Sequence, residues 1–283
     1  MSAYAPLLEP VIAIARRAGA AILAVYNRPE GFAVTGKADD SPLTEADIAS
    51  HRIIVDGLAR LTPDLPLLSE ESGEQAGWET RRHWSRYWLV DPLDGTKEFV
   101  KRSGDFTVNI ALVENGVPVF GVVYVPVGDT LYAGHAGGTP TAFREDGTGR
   151  RPIRVRTQVE RVARGEPLTV VASKSHAGER LPALLTRLER EFGSCRLTSI
   201  GSSLKICLVA EGRADLYPRL GPTSEWDTAA AQAVLQAAGG AMVGPDLAPL
   251  RCNRGESLLN PDFHALGDPA YRWEFLREFS LAG

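Results

Sequence analysis

Tyr87-Trp88-Leu89-Val90 runs directly into Asp91-Pro92-Leu93-Asp94-Gly95-Thr96-Lys97-Glu98-Phe99. The four leading apolar residues predict a buried strand that delivers Asp91 at its C-terminal end, where α/β proteins commonly build sites. Pro92 has no N–H to donate and is expected to stop the strand ladder. The chain is then expected to turn, so that Asp91 and Asp94 point at one spot. Gly95 lets backbone come close to a ligand. Thr96 to Phe99 predicts a helix start, whose free N–H groups and positive dipole end suit a phosphate. One short segment thus offers two hard oxygen ligands and an anion cradle, the combination magnesium prefers.

On the N-terminal side, Leu8, Val11, Ile12, Ala15, Gly19, Ile22, Leu23 and Tyr26 recur at spacings of three and four and predict a helix. A polar stretch from Gly36 to Ser41 leads to a second helix starting near Thr44, with Ala49, Ile53, Ile54, Gly57, Leu58 and Leu61 on its inner face. Leu65 to Leu68 predicts a short strand ending in Ser69-Glu70-Glu71-Ser72-Gly73. On the C-terminal side, Phe106 to Val113, Pro118 to Val125 and Thr130 to Gly134 read as strands, and Asn115-Gly116 is a strong hairpin signal. This half therefore predicts helices packed on an antiparallel sheet. Gly137 to Arg151 is rich in Gly, Thr and Arg and reads as a loop. Beyond it, strand-like runs (Leu168 to Ala172, Ala214 to Tyr217) alternate with helical ones (Leu181 to Phe192, Leu204 to Glu211, Glu225 to Ala238), which predicts an α/β unit with a mixed sheet. The expected organisation is an N-terminal α+β domain over 1–155 carrying most metal ligands, and a C-terminal α/β domain over 156–283 carrying the last ligand and substrate-binding residues.

The chain has 283 residues, 44% of them hydrophobic, enough for a large core in one or two closely packed domains. A formal net charge of -4 does not suit a polyphosphate backbone, and no dense basic run occurs, so no nucleic-acid polymer is expected as a partner. Arg144, Arg150, Arg151, Arg154 and Arg156 are interrupted by acidic and turn residues and read as a solvated loop. Cys195, Cys207 and Cys252 are odd in number and widely spaced, which fits reduced thiols in a cytoplasmic protein. Glu9, Arg16 and Arg17 interrupt the first apolar segment, so neither a signal peptide nor an integral membrane segment is expected.

Asp47, Glu70, Asp91, Asp94 and Asp227 each stand near the end of an expected strand or the start of an expected helix. Each has a purely structural account. Asp94 could cap the next helix. Thr44 with Asp47, and Ser224 with Asp227, fit capping boxes with the acid at the third helical position. Glu70-Glu71 fits an exposed acidic turn. All of these would have to hold together for the acids to be without chemistry. No G-x-S-x-G elbow occurs, and the five histidines form no triad pattern.

Ser69-Glu70-Glu71-Ser72, Trp88 to Thr96, and Glu225-Trp226-Asp227-Thr228-Ala229-Ala230 resemble the three signatures of the inositol monophosphatase superfamily of metal-dependent phosphatases. Lys37 through Asp47, with Asp40, Thr44 and Asp47, resembles its N-terminal element. The resemblance spans nearly the whole chain in the same order. It implies the layered αβαβα sandwich of the sugar phosphatases and two or three magnesium ions. Glu70, Asp91 and the Leu93 carbonyl would hold the first; Asp91, Asp94 and Asp227 the second; Glu70 a third, loosely, through waters. Asp47 and Thr96, with Glu70, would serve the attacking water. The N–H groups of Gly95 and Thr96 would hold the phosphate, with Glu71 and Thr44 behind them. Lithium sensitivity is implied as well.

Within the superfamily, Lys97-Glu98-Phe99, Asp39 to Thr44, Gly201-Ser202-Ser203-Leu204-Lys205, Tyr217-Pro218-Arg219 and Asn253 to Pro261 resemble the 3'(2'),5'-bisphosphate nucleotidase branch, with a role in sulfur metabolism. Ala231 and Cys252 depart from that pattern, which has glycine and an aromatic residue there. The expected substrate is adenosine 3',5'-bisphosphate, with 3'-phosphoadenylyl sulfate as a second. A second phosphate needs a cation away from the metals, and Lys205 and Arg219 are the candidates. Ser173, in Ser173-Lys174-Ser175-His176, is expected on the nucleotide side. The alternatives are an inositol monophosphate or sugar bisphosphate phosphatase and, from another class, a catalytically silent phosphometabolite-binding protein.

Overall fold

The computed structural model describes residues 3–36, 42–72, 76–137, 140–172 and 180–280. The chain opens with α1 (Ala5–Tyr26), the short pair β1 (Val34–Gly36) and β2 (Pro42–Thr44), and α2 (Glu45–Leu61). Next come β3 (Leu67–Ser69), α3 (Trp78–Arg81), β4 (Arg86–Asp94), α4 (Thr96–Val100), β5 (Thr107–Glu114), β6 (Val117–Val125) and β7 (Thr130–His135). They are followed by β8 (Thr141–Asp146), β9 (Gly149–Pro152), α5 (Gln158–Ala163), β10 (Leu168–Ala172), α6 (Arg180–Phe192), β11 (Cys195–Ser199) and α7 (Leu204–Ala210). The chain ends with β12 (Leu216–Arg219), α8 (Glu225–Ala237), β13 (Ala241–Val243), β14 (Phe263–Leu266) and a 3₁₀ turn at Glu274–Phe279.

Two large sheets result. The first has seven strands in the order β3 to β9, antiparallel except for the parallel pair β3–β4. The second has five strands in the order β11-β10-β12-β14-β13, with β10, β11 and β12 parallel and β14 antiparallel to both of its neighbours. Three buried apolar clusters separate five layers, the αβαβα arrangement expected. The first, between α1/α2 and the seven-stranded sheet, holds Ile12, Ile22, Ile54, Val108, Ile110, Phe120 and Val122. The second, around α7 and α8 between the sheets, holds Ala111, Val123, Val209, Ala230, Val234 and Phe263. The third, holding Val170, Leu184, Leu188 and Leu276, lies outside the five-stranded sheet. Alternate residues of β5 and β6 feed the first and second clusters. Covered on both faces, these strands read as nearly unbroken apolar runs.

α2 begins where the capping box predicted: Thr44 N donates to Asp47 Oδ2 at 2.8 Å, and Thr44 Oγ1 accepts from Ala46 N at 3.2 Å. The Asn115-Gly116 turn has φ of 50° and 76°, as a two-residue hairpin of this twist requires. Three expectations need correction. Gly137 to Arg151 is not a loop, because β8 and β9 form a hairpin within it, turning at Gly147-Thr148. They are polar edge strands and carry little hydrophobic alternation to announce them. The arginines there are not simply solvated: Arg150 pairs with Glu9 and Glu145, and Arg156 is buried against Asp215. Pro92 does not stop the ladder either. β4 continues to Asp94 through a bulge.

Candidate active site

The bulge decides the geometry of the carboxylates. Asp91 pairs with Asn109 and Asp94 with Thr107, so Pro92 and Leu93 stand opposite Val108 alone. In a regular strand, residues three apart face opposite sides. The extra residue restores the count, and Asp91 and Asp94 emerge on the same face. Two contacts pin the bulge. Ser50 Oγ of α2 donates to the Pro92 carbonyl at 2.7 Å, and Leu93 N donates to Asp91 Oδ1 at 3.0 Å.

Around it the chain brings three elements together. Glu70 comes from the end of β3, where its N–H donates to the Val90 carbonyl at 3.1 Å. Asp227 comes from the first turn of α8, where Ser224 N donates to Asp227 Oδ2 at 2.9 Å. Carboxylate oxygens of Glu70, Asp91 and Asp227 all lie within 4.8 Å of one another. Asp91 is 1% exposed, and its pKa is raised by burial first and then by the charges of Glu70, Asp94 and Asp227. Burial and Asp94 likewise raise Asp227, against the opposing Ser224 N–H. Three acids this close cannot all carry charge without a cation between them. Hard oxygens with no nitrogen or sulfur donor fit magnesium.

Asp94 stands beside this trio and is held separately. Its Oδ2 accepts from Ser203 N at 2.5 Å and from Asn109 Nδ2 at 3.4 Å, while Ser203 Oγ donates to Asn109 Oδ1 at 3.0 Å. Burial pushes Asp94 up to about 6, with Lys205, the Ser203 N–H and Asn109 opposing. Thr107, Asn109 and Ser203 are supports that the sequence reading did not anticipate. The available signal was two polar residues one alternation apart in the otherwise apolar run Phe106 to Val113.

Asp47 is 1% exposed and divides its oxygens. Oδ2 accepts from Thr44 N and from Thr44 Oγ1 at 2.6 Å, and Oδ1 accepts from Thr96 Oγ1 at 3.3 Å. Thr96 Oγ1 also lies 3.3 Å from the Leu93 carbonyl. Gly95, at φ 92°, starts α4, and the first N–H groups of a helix have no partner within it. A cleft of about 370 Å³ joins these groups: Glu70, Asp91, Asp94, Gly95, Thr96 and Asp227 line it, with Arg219, Trp226 and Leu259 at its wall. Glu71 lies in the turn after Glu70.

Lys205 and Arg219 line a smaller adjoining cavity with Asp94, Gly95 and Tyr217. Their settings differ. Lys205, 7% exposed, donates to the carbonyls of Ser202 at 2.6 Å and Ile200 at 3.4 Å, and burial lowers it to about 8 despite Asp94 nearby. Arg219 donates through Nη2 to the Pro222 carbonyl at 2.6 Å, while its buried Nε has no hydrogen-bond partner among the described residues. Lys37 to Ser41, with Asp40, and Ser173 to His176 lie outside the described residues.

A model of the inositol monophosphatase family matches residues 3–268. The 3'(2'),5'-bisphosphate nucleotidase CysQ of Escherichia coli (strain K12) is 51% identical over 257 residues, 91% of this chain and 98% of that protein. The protein of the same name from Haemophilus influenzae is 34% identical, with 97% of each chain covered. The crystal structure of CysQ from Bacteroides thetaiotaomicron superposes with a TM-score of 0.76 at 40% identity, covering 91% of this chain and 96% of that one. The inositol monophosphatase of Anabaena gives 0.70 at 28% identity, covering 96% and 94%.

Proposed function

The chain belongs to the inositol monophosphatase family, and from that premise we propose that it is a magnesium-dependent phosphatase hydrolysing the 3'-phosphate of adenosine 3',5'-bisphosphate to AMP and phosphate. The observation that carries this reading is the acidic trio Glu70, Asp91 and Asp227 sharing one cleft with Thr96, whose hydroxyl donates to the buried Asp47 behind it. The Escherichia coli relative, named for 3'(2'),5'-bisphosphate nucleotidase activity, supports the nucleotide. We propose 3'-phosphoadenylyl sulfate as a second substrate. We place the reaction in the cytoplasm, within sulfur metabolism, and expect lithium to inhibit it. No helix among the described residues is long and apolar enough to cross a membrane.

Glu70, Asp91 and the Leu93 carbonyl would hold one magnesium, and Asp91, Asp94 and Asp227 a second, with Glu70 also serving a third, looser one. When bound, magnesium supplies positive charge that offsets the phosphoryl oxygens and makes a nearby water more acidic. The N–H groups of Gly95 and Thr96 hold the phosphate so that its leaving bond lies in line with the water. Thr96 Oγ1 accepts the proton from the water and passes its own to Asp47 Oδ1. Asp47 remains oriented because its other oxygen is fixed to Thr44. Glu71 and Thr44 support this arrangement from behind. We also propose the division into 1–155 and 156–283, which puts Asp227, Lys205, Arg219 and Ser173 in the C-terminal part.

Arg219, with its unpartnered Nε, is the stronger candidate to read the second phosphate. Lys205 has two N–H groups committed to carbonyls beside Asp94. Phosphate release should be measured on a panel: adenosine 3',5'-bisphosphate, 3'-AMP, inositol 1-phosphate and a sugar bisphosphate. Arg219→Ala should lower kcat/KM on the bisphosphate nucleotide by roughly one to two powers of ten and on 3'-AMP much less. Lys205→Ala should lower both. A preference of the unmutated protein for inositol 1-phosphate would overturn the nucleotide assignment, and release from none of them would favour a binding protein.

A further inference from the structure

The entry into α8 is gripped by a buried network none of whose members lines the phosphate cleft. Arg81, at the end of α3, is 3% exposed, and Glu225, the first residue of α8, is 4% exposed. Asn253 stands between them. Its N–H reaches both oxygens of Glu225, at 2.8 and 3.0 Å. Its side chain and Arg81 bond reciprocally: Arg81 Nη1 donates to Asn253 Oδ1 at 2.7 Å, and Asn253 Nδ2 donates to the Arg81 carbonyl at 2.6 Å. Arg81 Nη2 donates in addition to the Glu256 carbonyl, and the guanidinium lies over the Trp78 ring, 5.1 Å from its centre.

Asn253 also has φ 55°, in the left-handed region that a residue with a side chain enters only at a cost. The same loop holds the helix start from a second side. Glu225 N donates to the Leu258 carbonyl at 2.8 Å, and Asn260 Nδ2 donates to the Ser224 carbonyl at 2.8 Å and to Thr223 Oγ1 at 3.2 Å. Arg81 therefore fastens a loop that fastens the turn carrying Asp227. α3 follows the Glu70 segment in the chain, while Asp227 arrives from far along it. A tie between the two fixes one carboxylate against another.

We propose that Arg81, Asn253 and Glu225 form a clamp of positioning residues that holds Asp227 opposite Glu70 and Asp91 and thereby sets how tightly the site binds magnesium. The inference rests on the metal reading given under Proposed function. It predicts an effect on ion affinity that acts through Asp227 without contact to substrate. Partners of this kind, one step behind the ligands, typically change metal affinity by about 10–100-fold when removed.

Asn253→Gly is the sharpest variant. Glycine accepts a φ of 55° without strain and keeps the N–H that bonds Glu225, but loses both bonds to Arg81. Arg81→Lys keeps the charge and loses the fork. Magnesium binding is measured calorimetrically without substrate, alongside Tm and the magnesium concentration for half-maximal turnover. Both variants should bind magnesium about tenfold more weakly, and raising magnesium should recover the turnover lost at low concentration. A lowered Tm with unchanged magnesium affinity would reduce the clamp to a structural tie and overturn the proposal. Asp91→Asn is the companion control. If the unmutated protein binds magnesium and Asp91→Asn does not, the metal reading stands whatever the clamp variants do. If neither shows magnesium-dependent behaviour, the metal reading itself has failed.

Discussion

Gly121→Ala adds one methyl group at the contact that seats α8 on the seven-stranded sheet. Gly121 of β6 pairs in register with Gly134 of β7, and the two make a floor without side chains beneath the helix. A Cβ on Gly121 would lie 2.1 Å from the Ala230 carbonyl oxygen, and one on Gly134 would lie 2.8 Å from Val234 Cα. Ordinary contact begins near 3.4 Å, so helix and strand must separate by about 1.3 Å. The obstacle is backbone, which has no rotamer to yield. φ at Gly121 is outside the left-handed region, so the whole effect is this contact. Overpacking a filled core costs about 1–3 kcal/mol, a fall in Tm of roughly 2–10 °C for a chain of this size. The catalytic effect should be larger. Ala230 lies one turn after Asp227, and a displacement of about 1 Å near reacting groups can cost about a hundredfold in rate. The test is Tm by calorimetry and kcat/KM by phosphate release, with Gly147→Ala, whose Cβ would meet nothing within 4 Å, as control. A Gly121→Ala protein with unchanged Tm and kcat/KM would refute the close seating of α8 and its role in placing Asp227.

Asp91→Asn should abolish magnesium-dependent turnover while the fold survives, because the buried carboxylate shared by both proposed ion sites loses its charge; near-normal turnover would refute the shared role. In metal-free protein, the raised carboxylates make the folded state bind more protons than the unfolded one. Stability therefore falls as pH rises from about 4, the ordinary value of Asp94, through its folded value of about 6. The gain in Tm on adding magnesium should accordingly be larger at pH 7.5 than at pH 5; an equal gain would contradict the coupling. Calcium should compete with magnesium and inhibit, since it accepts longer bonds and more ligands; full turnover with calcium alone would refute the geometric argument.

Much of this was legible in the sequence because the decisive signals are local. The apolar runs of β5 and β6, the Asn115-Gly116 turn and the two capping boxes act within a few residues, and the structure has them where expected. What could not be read depends on pairing across distance. The bulge at Pro92 and Leu93 exists because β5 supplies one residue where β4 has two. β11 and β14 are short strands defined by their neighbours, with β11 largely exposed along its length. The Arg81–Asn253 tie joins residues 172 apart, and no periodicity announces it.

The capping boxes explain why a structural and a chemical account of the same aspartate were never alternatives. An acid at the third position of a helix turns one oxygen back to the N-cap N–H. Asp47 does this toward Thr44, and Asp227 toward Ser224. That bond fixes the side chain's rotation, which a free aspartate on a helix start would spend entropy to hold. The second oxygen is then aimed by the cap: at Asp47 it meets Thr96, at the start of α4. Replacing the cap partner rather than the acid should therefore damage the chemistry. Thr44→Val removes the hydroxyl that donates to Asp47 Oδ2 at 2.6 Å but leaves the backbone N–H in place. The helix start loses on the order of 1 kcal/mol. If the hydroxyl also orients Asp47, kcat should fall several-fold at saturating magnesium with KM little changed. A Thr44→Val protein that loses stability yet keeps its kcat would separate the two roles and leave the cap purely structural.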